Sequence, residues 1–166
     1  HNGAELTSAD VLWNWRRFLD PETKWQCRRW YAGENDDPGN SVVVDIRAPD
    51  DYTVIFELEV ANPLFLDQLA NVQCPSAIVH PSSVNADGDW IEPVGTGPFK
   101  LREWRRGDYV ELERFEDYHT QQGTIDGFAG AKPVYAERLR FMISPDHAST
   151  KAALQSGGID LYPGVP

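Results

Sequence analysis

The chain has 166 residues, 26 acidic against 15 basic side chains, and a formal net charge of −11. That balance argues against a nucleic-acid surface or an anionic membrane surface, both of which need Lys and Arg in excess on some face. No run of about eighteen apolar residues exists to span a bilayer as a helix, while six Trp, six Tyr and seven Phe supply large apolar bodies for a core or for ligand contact.

Asn2-Gly3 reads as a turn. Thr7 stands three residues before Asp10, a capping-box spacing, and Val11, Leu12, Trp15, Phe18 and Leu19 recur at helical intervals. The pattern predicts an amphipathic helix over 8–19, ended by Asp20-Pro21. Trp25, Cys27, Trp30 and Tyr31 form a short aromatic stretch of helical character, followed by an acidic loop over 33–40. Val42, Val44 and Ile46 then alternate with Val43, Asp45 and Arg47. After a turn through Pro49-Asp50-Asp51, Tyr52, Val54, Phe56, Leu58 and Val60 alternate with polar residues. This predicts a β-hairpin. Asn62-Pro63 opens a short helix carrying Leu64, Phe65, Leu66, Leu69 and Ala70. Ala77–Pro81 reads as a brief buried strand and 82–93 as a polar loop anchored by Trp90.

Gly95-Thr96-Gly97-Pro98 is a glycine-rich turn. A dinucleotide loop would need a third glycine where Lys100 stands, and a helix where the alternation of Phe99 and Leu101 with Lys100 and Arg102 announces a strand. Past Arg106-Gly107-Asp108, Val110 and Leu112 alternate with Glu111 and Glu113. The expected hairpin has an apolar face and a charged face, with two bases opposite two acids. Glu116-Asp117-Tyr118 turns the chain into a patternless, Gly-rich loop over 120–133. Tyr135, Leu139, Phe141 and Ile143 mark another strand, Pro145-Asp146 a helix start, Gly157-Gly158 its end, and Ile159-Asp160-Leu161 a further strand. Strand, helix and strand predict a parallel βαβ unit.

Candidate chemistry is sparse. Glu57/Glu59 and Glu111/Glu113 are paired acids on strands, which reads as a solvated sheet surface rather than glycosidase machinery. His1, His80, His119 and His147 are scattered, no nucleophile elbow occurs, and neither cofactor nor metal is implied. Cys27 and Cys74 are either a disulfide in an oxidising compartment or two unrelated buried thiols. His1 is not a start methionine, so the chain reads as a mature N-terminus or as a piece of a longer protein.

Five stretches, in order, resemble the family 5 bacterial extracellular solute-binding proteins, the dipeptide, oligopeptide and nickel receptors of ABC importers. They are Asn2–Val11; Asp51-Tyr52-Thr53-Val54 with Phe56; Asn62–Leu66; Gly95–Leu101 with Trp104, Gly107-Asp108, Leu112–Arg114 and Asp117-Tyr118; and Arg140-Phe141 through Asp146 with Ala153–Leu161. The resemblance implies an α+β, type II periplasmic-binding-protein-like fragment, since family members are about three times this length. Residues 1–91 would form most of a small peripheral lobe and 92–166 part of the first ligand-binding lobe. It further implies a non-enzymatic receptor, monomeric when complete, that captures a short peptide or similar solute and presents it to a membrane permease. The compartment would be periplasmic or extracellular, with a lipidated anchor absent from this chain. Trp25, Trp30 and Tyr31 read first as core of the small lobe and second, on the resemblance, as ligand contacts reaching the cleft. Gly95 and Thr96 read first as a structural turn and second as residues near the cleft, and a Cys27–Cys74 bridge fits that compartment. The rival readings are a secreted carbohydrate-active hydrolase, which needs two acids converging in one pocket, and an intracellular sensor built on the same module.

Overall fold

The computed structural model describes residues 1–33, 40–126 and 129–164. The chain divides into two compact units, His1–Thr96 and Gly97–Pro166, whereas the boundary expected from sequence lay at 91/92. Most of the acidic loop read at 33–40 lies outside the described residues.

In the first unit, helix α1 spans Ser8–Leu19. Asp10 accepts from the Thr7 backbone N–H at 2.9 Å and from the Thr7 hydroxyl at 3.2 Å, so the acid both closes the cap and sits at the positive helix end. Strands β1 (Val43–Asp50) and β2 (Thr53–Leu58) pair antiparallel about a turn at Asp51-Tyr52. Their inward face differs from simple alternation. A register irregularity between Val43 and Asp45 leaves Val44 55% exposed, while Ile46, Val54, Phe56 and Leu58 face inward. Tyr52 and Val60, at the ends of the second strand's pattern, are exposed. The hairpin turn receives the start of α1: the Ser8 N–H donates to Asp51 O at 2.8 Å and its hydroxyl to Asp50 O at 2.7 Å. Two donors at a helix end that would lack intrahelical partners are thereby satisfied by the turn.

Two polar side chains and a covalent bond complete this unit. Asn14, on α1 and 1% exposed, donates to Asp10 O and to Val79 O and accepts from the Val79 N–H. Residues 77–81 therefore do not form the expected strand. Val79 satisfies its backbone on a side-chain amide, and His80 donates to Val94 O at 2.8 Å. Helix α2 covers Phe65–Leu69, and Asn62 prepares it by accepting from the Leu64 N–H. Ser41, fully buried, joins the hairpin's start to α2: its hydroxyl donates to Gln68 and accepts from Asn62. A Cys27–Cys74 disulfide, Cα–Cα 5.9 Å, ties the aromatic stretch after α1 to the residues after α2.

The second unit is built on a three-stranded antiparallel sheet in the order β3 (Phe99–Arg105), β4 (Tyr109–Arg114), β7 (Arg138–Met142). Gly107 turns the first pair at φ +80°, a conformation that favours glycine. Leu101 faces Leu112 and Lys100 faces Glu113, as the charge pattern requires. Between β4 and β7 the expected featureless loop holds a small ladder of β5 (Ile125–Asp126) and β6 (Ala129–Gly130). Helix α3 (His147–Gln155) starts at Asp146, whose carboxylate accepts from the Ser149 N–H and hydroxyl, each at 2.8 Å. Those two bonds hold the Asp146 carboxyl below its usual range. The parallel βαβ unit is a misreading. Ile159–Leu161 is not strand, and β7 pairs antiparallel with β4 instead. A strand exists only where a neighbour accepts its ladder, and the residues after α3 have none among the described residues.

Candidate ligand-contact site

Trp15 on α1 is 2% exposed and meets four rings edge-on: Phe18 at 5.8 Å, Trp25 at 6.3 Å, Tyr31 at 5.1 Å and Phe56 at 5.0 Å between centroids. Trp25 lies between Phe18 and Tyr31, stacked on both. Tyr31 touches Phe65 of α2, which also touches Phe56. Edge-to-face and offset-stacked pairs each add about 0.5–1.5 kcal/mol beyond area burial. Helical spacing put Trp15 and Phe18 on one face, and the disulfide beside Cys27 holds Trp25 and Tyr31 against them.

Tyr31 is fully buried, and its hydroxyl has no hydrogen-bond partner among the described residues. Burial raises the phenol above its ordinary pKa. A buried hydroxyl without a partner forfeits its hydration for nothing. Tyr31→Phe is therefore expected to stabilise the protein by about 1 kcal/mol, read as a higher urea midpoint at unchanged slope. Trp30 is half-buried, and its carbonyl accepts from the Ser41 N–H at 3.0 Å.

Gly95 and Thr96 border a different feature. They line a small open cleft of about 20 Å³ with Leu6, Asp10, Ile78 and His80. Gly95 has ordinary backbone angles, and a Cβ there would meet nothing closer than 3.9 Å. The structure thus groups Trp25 with Tyr31 and Gly95 with Thr96, and none of Trp25, Trp30 and Tyr31 lines that cleft.

On the second unit the sequence reading missed a cluster. Glu111 was expected on a solvated face, yet it is 5% exposed. Arg102 approaches it at 3.1 Å and Arg140 grips it through two guanidinium nitrogens. The Arg140 guanidinium also lies 4.3 Å over the Tyr109 ring, and the Tyr109 hydroxyl donates to Glu103 at 2.6 Å. Bonds from Tyr109 and Arg105 hold the Glu103 carboxyl below its usual range, and the Glu103 contact raises the Tyr109 phenol. The one signal for this cluster is that Arg140 lies on a strand; its pairing opposite Glu111 depends on which strand β7 joins.

A profile of the bacterial extracellular solute-binding proteins, family 5 middle region, matches residues 1–166. The oligopeptide-binding protein AppA of Bacillus subtilis is 27% identical over 174 residues, covering 98% of this chain and 27% of AppA. Among solved structures, AgaA from A. tumefaciens R10 in complex with agropinic acid aligns at TM-score 0.75 and 30% identity, over 96% of this chain and 28% of AgaA. AppA of B. subtilis in complex with a nonapeptide aligns at TM-score 0.63 and 26% identity, over 96% of this chain and 29% of AppA. The chain spans under a third of the length of these relatives. Matched along its whole length, and sharing with those structures the fold described above, the chain belongs to family 5 of the bacterial extracellular solute-binding proteins.

Proposed function

We propose that this chain is part of the substrate-binding receptor of an ABC importer, capturing a short peptide or a related small solute outside the cytoplasmic membrane. The observation that carries the reading is the alignment, over 96% of the chain, with AppA holding a nonapeptide. Family membership supports it, and so does a buried disulfide, which suits an oxidising compartment. In this reading the whole receptor is monomeric, closes its lobes over the ligand by a hinge motion, and presents the closed form to a permease. We assign ligand contact to Gly95 and Thr96, which border open space, and a supporting role to Trp25 and Tyr31, which lie among other rings. Glu111, the one buried carboxylate among the described residues, lies between two guanidinium groups. That arrangement joins strands and is unsuited to attacking or protonating a sugar.

The test is a thermal-shift and calorimetric titration of the whole receptor with peptides of two to nine residues. A peptide at a hundred times its Kd should stabilise the protein by about 2.7 kcal/mol. A response only to amino-acid–sugar conjugates would move the assignment away from peptides. No response to either class would overturn it.

A further inference from the structure

The second unit carries an open cleft of about 270 Å³ between the end of β4 and residues 132–134, close to the lower end of the size range of small-molecule sites. Its charges do not cancel. Arg114 and Glu116 both line it and pair with each other at 3.1 Å, which leaves Lys132 as a cation with no ion-pair partner among the described residues. The Tyr118 hydroxyl makes no hydrogen bond among the described residues either. Phe115 and Val134 supply apolar walls.

The frame around these groups is tied down. The Phe115 N–H donates to Pro98 O at 2.9 Å, the Tyr118 N–H to Phe115 O at 3.1 Å, and the Lys132 N–H to the Thr120 hydroxyl at 2.6 Å. The last bond fixes the backbone that carries the free ammonium against the segment that carries the free phenol. In a chain of net charge −11, a concave spot with a surplus cation, a spare hydroxyl donor and an aromatic wall is matched to an anion.

We infer that this cleft is a binding site for a small carboxylate with a flat apolar body. Lys132 and Tyr118 hold the carboxylate while Phe115 and Val134 flank the apolar part. The site does not depend on the peptide reading above, because every group in it belongs to the second unit and none to the Gly95–Thr96 cleft.

The probe is N-acetylphenylalanine, with its uncharged amide as control, titrated calorimetrically into the whole protein. The acid should bind at least ten times more tightly than the amide. Lys132→Met should weaken the acid at least tenfold and leave the amide unchanged, and Tyr118→Phe should weaken the acid several-fold. Lys132 is exposed, so its variant should keep the wild-type circular dichroism spectrum. Equal binding of acid and amide, no saturable binding of the acid, or an unaltered Lys132→Met variant would each overturn the assignment. Displacement of the acid by a bound peptide would overturn it as well, whereas failure of every peptide to bind would leave the acid titration intact.

Discussion

Replacing Cys27 and Cys74 together with Ala is expected to lower the stability of the protein by about 4 kcal/mol. The chain-entropy estimate for a bridge closing a separation of 47 residues gives that value. The location adds to the effect, since both cysteines are buried and the bridge holds Trp25 and Tyr31 in the aromatic cluster around Trp15. Loss of the bond would let that segment leave, exposing rings that now stack. Urea unfolding of the oxidised wild type, the wild type under dithiothreitol and the double variant is the measurement. The last two should agree and lie well below the first. A double variant within about 1 kcal/mol of the oxidised wild type would show the bridge to be incidental.

Asn14→Leu should be nearly as damaging, at about 3 kcal/mol, although it places an apolar residue at a buried position. The Asn14 amide serves both polar groups of Val79, as an adjacent strand would, and bonds Asp10 O as well. Leucine leaves the Val79 N–H and C=O without those partners, and each unpaired group costs about 1–3 kcal/mol. Asn14→Asp turns the donor into a second acceptor. It sets a buried carboxylate against Val79 O and Asp10 O, so at neutral pH its midpoint should fall at or below that of leucine. If leucine matched the wild-type midpoint, the amide would not be what holds residues 77–81.

Much of the fold was legible because local chemistry and global structure agree. Thr7, Asp10 and the 3.6-residue spacing of Val11, Trp15 and Phe18 mark the helix at Ser8–Leu19. In the β3–β4 hairpin, the bases at Lys100 and Arg102 meet the acids at Glu113 and Glu111, even though a register irregularity falls between Leu101 and Glu103. What escaped the sequence was decided by partners far along the chain. Glu111 is buried because Arg140 arrives from 29 residues away, and alternation cannot foresee which strand will be its neighbour. Ile159–Leu161 has the composition of a strand and lacks the partner that would make it one. Asn14 drew no reading of its own, because nothing near it in sequence announces Val79, 65 residues on. Of the residues expected at a ligand site, stacking explains Trp25 and Tyr31, and an open border distinguishes Gly95 and Thr96.

The bridge between Cys27 and Cys74 also makes a ring of the chain. The hairpin of β1 and β2 and the whole of α2 lie on its circumference. A protease that cuts once anywhere between residues 28 and 73 opens that ring without separating two pieces. The nicked protein would keep its full mass on a non-reducing gel and fall into two fragments only when thiol is added. Damage to one side of the ring therefore leaves its ends tethered, close enough for the aromatic cluster to reassemble.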